Sequence, residues 1–155
     1  MPRIPLIIAQ YTNSGHRNGP DHKHWAIVAL QSQNTADIFE LVGNSDTFTY
    51  IPRKVTRFSE SQRLCGGYIV GTIDLSQVQW LYETLRQVPI HRFHESWDCQ
   101  SWVLDALLYL RELTQGVVTE NIGRAHIQAE MSNEYHRWQY GGQIIQERLF
   151  PSDSD

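Results

Sequence analysis

HWAIVALQSQNTADIFELV, residues 24–42, reads as two strands joined by a polar link, and its pairing decides the fold. HWAIVAL (24–30) is apolar on both faces apart from His24, as a central strand is. The second strand extends over ADIFELVGN (36–44), where Glu40 stands between Phe39 and Leu41 and shares its face with Ile38 and Val42. A carboxylate among apolar neighbours requires a partner, because burying it unpaired is expensive. In an antiparallel hairpin, setting residue 24 against residue 40 requires an odd-numbered link, either 31–33 or 30–34, and QSQNT accommodates both. A slip of one residue would turn Glu40 to the other face.

Outward from this pair, IPLIIAQY (4–11) is a short β-branched strand and TNSGHRNGPD (12–21) a long polar loop. TFTYIPRKV (47–55) is a strand that Pro52 pushes toward a sheet edge, and GYIVGTI (67–73) is another. The period then changes. Leu75, Val78, Leu81, Leu85 and Val88 recur at helical spacing over 74–88, with Asp74 as the cap and Pro89 as the stop. In WDCQSWVLDALLYL (97–110), Cys99, Trp102, Val103, Ala106, Leu107 and Leu110 form one stripe, with Ser96 or Asp98 as the cap. A last helix is expected over 120–138, closed by Gly141 and Gly142, and 143–150 is either a strand or a docked tail. Strands first and helices later predict an α+β fold, an antiparallel sheet packed against helices. Residues 1–150 are read as a single domain and the acidic end, 151–155, as a disordered tail.

The chain has 155 residues, 41% of them hydrophobic and 19% charged, within the range of one globular domain. A net charge of −4 and the lack of any run of Lys or Arg argue against nucleic acid as a partner. Two cysteines, Cys65 and Cys99, are too few for a disulfide scaffold and fit a reducing compartment. The apolar start is shorter than a signal-peptide core, and no stretch approaches the roughly 18 apolar residues of a membrane span. A cytoplasmic location is expected.

Cys99 opens a helix, where the dipole favours the thiolate over the thiol. His24 opens an apolar strand and is the natural base for it; a third polar group then fixes the imidazole's tautomer. Glu40 is the first candidate for that role, with Asn44 and Asp37 in reserve. The Cys99 backbone N–H is one expected oxyanion donor; His22 and Gln100 are candidates for the second. Cys65, ahead of Gly66 and Gly67, is read as an incidental turn cysteine. A rival reading groups His22, His24, His91, His94 and Cys99 around a transition metal.

HWAIVAL…IFEL…WDCQSWV resembles the permuted papain-like arrangement of the lecithin:retinol acyltransferase and phospholipase/acyltransferase group and of the NlpC/P60-like proteins. There a strand begins HWAI, a polar residue follows on the next strand, and a helix supplies the cysteine. His24 and Cys99 match motif positions; Glu40 replaces the usual second histidine and Asp98 the asparagine before the cysteine. The C-x-x-W-V-x-x-A-L helix resembles more closely a family of small soluble fungal proteins, over residues 22–113. These resemblances imply a thiol-dependent hydrolase or acyltransferase that works through a covalent thioester, with Cys99, His24 and Glu40 as the catalytic set and no cofactor. The expected partner is a small-molecule, peptide or acyl substrate. A non-catalytic binding protein on the same fold is the alternative.

Overall fold

The computed structural model describes residues 2–12 and 23–151. The polar loop expected at 12–21 and the tail beyond 151 lie almost wholly outside the described residues. Five strands, β1 (Arg3–Tyr11), β2 (His24–Leu30), β3 (Ala36–Val42), β4 (Thr49–Val55) and β5 (Leu64–Asp74), form one antiparallel sheet in the order β4-β3-β2-β1-β5. Four helices follow: α1 (Val78–Leu85), α2 (Cys99–Leu113), α3 (Arg124–Gln139) and α4 (Ile145–Leu149). The class is α+β.

The sheet is buried on both faces, which is why β2 is apolar on both. Trp25, Ile27 and Ala29 of β2 join a core that includes Leu81 of α1 and Trp102, Val103, Ala106, Leu107 and Leu110 of α2. Ala26, Val28 and Leu30 face a second core, closed by Phe58 from a single 3-10 turn and by Ile144 and Ile145 at α4. Each buried Leu or Val contributes roughly 1.5–3 kcal/mol. α3 reaches both cores, with Ile127 and Met131 in the first and Trp138 against the second. β4, at the edge, bears exposed charges and tolerates Pro52.

The β2–β3 link is five residues long, 31–35, because Thr35 turns back into it: Gln31 N–H donates to the Thr35 carbonyl at 2.8 Å and Thr35 N–H to Ser32 Oγ at 3.0 Å. Leu30 then pairs with Ala36 and Ile27 with Phe39. Continuing that register sets Ala26, not His24, opposite Glu40. The expected pairing is thus displaced by two residues. A shift of two preserves the face, so Glu40 stays on the His24 side as a diagonal neighbour, within reach of long side chains.

Other expectations are corrected. β3 stops at Val42, since Gly43 turns at φ 102°. The 74–88 segment opens as a 3-10 turn over Leu75–Gln77, and Asp74 makes no cap: its carboxylate holds Arg3 at 3.0 Å. Cys65 and Gly66 lie within β5 at a register shift, not in a turn, and Gly66 has φ 136° beside Glu134. The 143–150 segment is not a strand; it docks on the second core, as the short helix α4. α3 begins at Arg124, four residues later than expected from 120.

Candidate active site

His24 is the first residue of β2, and this position gives it access to both sides of the sheet. By alternation it shares the face of Ala26 and Val28, where Glu40 stands, while Cys99 rides on α2 over the opposite face. β2 begins at His24, so the ring lies at the end of the strand, where two clefts meet it. One cleft therefore brings His24 together with Cys99, Leu41 and Phe48, and another brings the same residue together with Glu40, Arg53 and Tyr11.

The ring's Nε2 lies 2.7 Å from Glu40 Oε1. The second carboxylate oxygen of Glu40 accepts from Arg53, at 3.3 Å from Nε and 3.2 Å from Nη2. With Nε2 occupied, Nδ1 is the nitrogen left for the thiol. Burial by itself lowers the His24 pKa, but the hydrogen bonds and charges of Cys99 and Glu40 outweigh it and raise the pKa from 6.5 to about 9. Burial alone would raise Glu40, yet the His24 hydrogen bond and charge, and then Arg53, hold its carboxyl below the ordinary range. The imidazole is thus cationic at neutral pH and the carboxylate anionic. Tyr11 pairs with His24 across β1–β2, with ring centroids 6.0 Å apart. Burial first, and then the Glu40 charge, push its phenol far above its ordinary value, so it adds a neutral wall.

α2 starts at Cys99 because Asp98 caps it. The Asp98 Oδ1 accepts from the N–H groups of Gln100 at 2.9 Å and Ser101 at 3.2 Å, and Ser101 Oγ accepts in return from Asp98 N–H at 3.1 Å. The cap leaves out the helix's first N–H, that of Cys99, which lies next to the thiol where an oxyanion would form. Gln100 has a different occupation: its Nε2 donates to the Lys23 carbonyl at 2.8 Å. That bond ties the turn that bears Cys99 to the residue before His24, a positioning role. Asn44 lines the cleft at Cys99, and its Oδ1 accepts from Asp46 N–H at 3.0 Å and Thr47 Oγ at 3.2 Å, so its amide nitrogen is the part available to a ligand.

The reserve orienter Asp37 pairs with Ala29, near the far end of the strand pair from His24, where Tyr82 Oη donates to it at 2.5 Å and Lys54 approaches to 3.7 Å. His22 lies outside the described residues. Among those described, no group of three or more His, Cys, Asp or Glu is placed to hold a metal ion. His91 instead meets the Trp97 ring at 5.0 Å, and His94 Nδ1 accepts from Ser96 N–H at 3.3 Å. Ser96 is therefore not the cap of α2. Cys65 is fully buried and donates to the Gln10 carbonyl at 3.4 Å.

Arg53 and Tyr11 were not among the candidates read from the sequence. A signal for Arg53 exists: in β3–β4 it pairs with Ile38, hence shares the face of Glu40 two residues away. Tyr11 faces His24 only through the β1–β2 register, which the loop between them leaves unspecified.

Fold and site together define an α+β protein in which a helix-start cysteine, a strand-start histidine and a buried glutamate converge. The chain belongs to a family described as a family of unknown function (DUF6540), whose profile matches residues 9–119. No curated protein and no solved structure matches it. The match includes β2, β3 and the whole of α2, and excludes α3 and α4. Among the described residues, no helix is long and apolar enough to cross a membrane.

Proposed function

We propose that this protein performs thiol-dependent acyl chemistry on a permuted papain-like scaffold, with Cys99 as nucleophile, His24 as base and then acid, and Glu40 as the residue that orients the imidazole. The supporting observation is a single ring, His24, engaged by a carboxylate through Nε2 at 2.7 Å and coupled to a thiol at a helix start. Glu40 in turn is fixed by Arg53, and Gln100 sets the spacing of nucleophile and base.

The thiol's proton already resides on His24 Nδ1 in the resting imidazolium, and the Cys99 sulfur attacks the substrate carbonyl carbon as the thiolate of that pair. Charge develops on the carbonyl oxygen beside the Cys99 N–H. As the tetrahedral adduct collapses, the carbon–leaving-group bond breaks and His24 returns its proton to the departing amine, alcohol or thiol, leaving a thioester on Cys99. An acceptor, water or a second nucleophile, loses a proton to His24, attacks the thioester and releases the acyl product with the thiol restored. Soluble amides, peptides and thioesters are the proposed substrate class, and no cofactor enters the cycle.

Mass spectrometry after brief treatment with chloroacetamide at neutral pH tests this reading. Labelling at residue 99, faster than a model thiol and selective over residue 65, is expected. A Cys99 no faster than free cysteine would instead favour a binding protein that keeps the fold without the chemistry.

A further inference from the structure

Residues 53–63, RKVTRFSESQR, hold four cations against one acid, a local charge of +3 in a chain whose net charge is −4. Of this stretch only Phe58 is buried, so the charges do not serve the core. The fold gathers them. Arg53 lies on β4, the chain reverses through the 3-10 turn at Phe58–Glu60, and Arg63 leads into β5 beside the end of β1, where its carbonyl accepts from Thr12 N–H at 2.9 Å. Arg53 and Arg63 thereby face one cleft of about 520 Å³, walled by His24 and Glu40 and lined also by Tyr11 and Ser61. An adjoining cleft of about 480 Å³ shares Tyr11, Arg53 and Ser61 and adds Arg57.

The donors in the larger cleft are left over from the fold's own bonding. The Arg63 guanidinium meets no carboxylate among the described residues, and Arg57 reaches Glu60 only at 3.9 Å. Arg53 commits Nε and Nη2 to Glu40, which leaves Nη1 for another acceptor. Ser61 Oγ accepts from Arg63 N–H at 3.4 Å, so its own proton remains to be donated, and the Tyr11 phenol keeps its proton. Glu40, the acid in this wall, has its oxygens engaged by His24 and Arg53. Three positive charges, on His24, Arg53 and Arg63, therefore stand against one negative. We infer that this cleft is a binding site for a small oxyanion, the phosphate or carboxylate end of a metabolite, with the guanidinium forks of Arg53 and Arg63 as its charged partners. Cys99 is not in the wall, so the ligand acts as an effector through Arg53, Glu40 and His24 and not as the substrate. Its negative charge steadies the charged imidazole. Binding is independent of the function proposed for Cys99; only this effect on the acyl chemistry rests on it.

The test follows the His24 ring signals of the native protein by NMR during titration with inorganic phosphate and, separately, with succinate. The pH is neutral, and chloride holds the ionic strength constant. Saturable shifts are expected, and the anion that saturates first identifies the group as phosphate or carboxylate. In Arg63→Gln, which keeps the backbone contacts of residue 63, the apparent affinity falls about tenfold, while Cys99 labelling without added anion stays at the native rate. Arg111→Gln, the same charge change in the last turn of α2, leaves the affinity unchanged. A His24 ring that does not respond saturably to either anion, or an equal affinity in Arg63→Gln and the native protein, overturns the inference. Failure of the nucleophile reading shows separately, as a Cys99 labelled no faster than free cysteine in a protein that still binds the anion.

Discussion

Glu40 and Glu134 are almost equally hidden, at 7% and 4% exposure, and both are paired with arginine, yet they are built for different ends. Glu134 accepts from Arg148 at 2.6 Å, Arg137 at 3.4 Å and the backbone N–H groups of Ile145 at 3.0 Å and Gly67 at 3.4 Å. Each of these donors is a guanidinium or a backbone amide. The site stitches α3, β5 and α4 together. Glu40 gives one oxygen to Arg53 in the same way, but the other meets an imidazole whose second nitrogen opens toward a thiol. A buried carboxylate surrounded by fixed donors holds a structure; one that shares a titratable partner controls where a proton resides.

The contrast can be broken by substitution. Cys99→Ala is expected to remove all thiol-dependent turnover while chemical denaturation shifts by no more than about 1 kcal/mol, since a half-buried helix-start thiol packs little. If the variant unfolds and activity per folded molecule persists, Cys99 is a packing residue like Cys65. Glu134→Ala should cost about 2–3 kcal/mol, discounted because Arg137 and Arg148 are partly exposed, and should leave the Cys99 labelling rate per folded molecule unchanged. Loss of labelling without loss of stability would erase the distinction between the two glutamates.

Glu40→Gln should move stability by about 1 kcal/mol, less than Glu134→Ala, because Gln still bonds the ring. Its signature is in pH. The charged His24 ring, with its pKa raised to about 9, stabilises the fold in full below 6.5, and that contribution is lost as pH rises through about 9. The same proton is needed for the leaving group, so activity in the native protein should fall above about pH 9. Glu40→Gln removes part of the attraction and should draw that alkaline limb downward; a limb that stays in place would mean the carboxylate does not govern the ring.

Much of this arrangement is legible in the residues because it follows local rules. The apolar run after His24, the alternation around Glu40 and the helical stripe behind Cys99 each report a face, and faces survive a register error of two. Exact pairing is not local: the turn of Thr35 back to Gln31 adds the residues that displace Glu40 from the position opposite His24. Arg53 is not legible as a site residue because a charged residue after Pro52 on an edge strand reads as solvated surface. Asp74 reads as a cap because helix periodicity begins after it, but an arginine from β1 claims its carboxylate. α4 is too short to show a period, and its docking depends on Glu134 and on the second core.

The contact between Gln100 and the Lys23 carbonyl sets unequal demands on its two ends. Every amino acid offers a main-chain oxygen, so position 23 can change identity without altering the grip. Position 100 requires a side chain long enough to cross the gap and a nitrogen to donate at its tip. Drift at the one leaves this bond in place; a shortened or purely acidic replacement at the other would unfasten the sulfur from the ring while leaving both chemically intact.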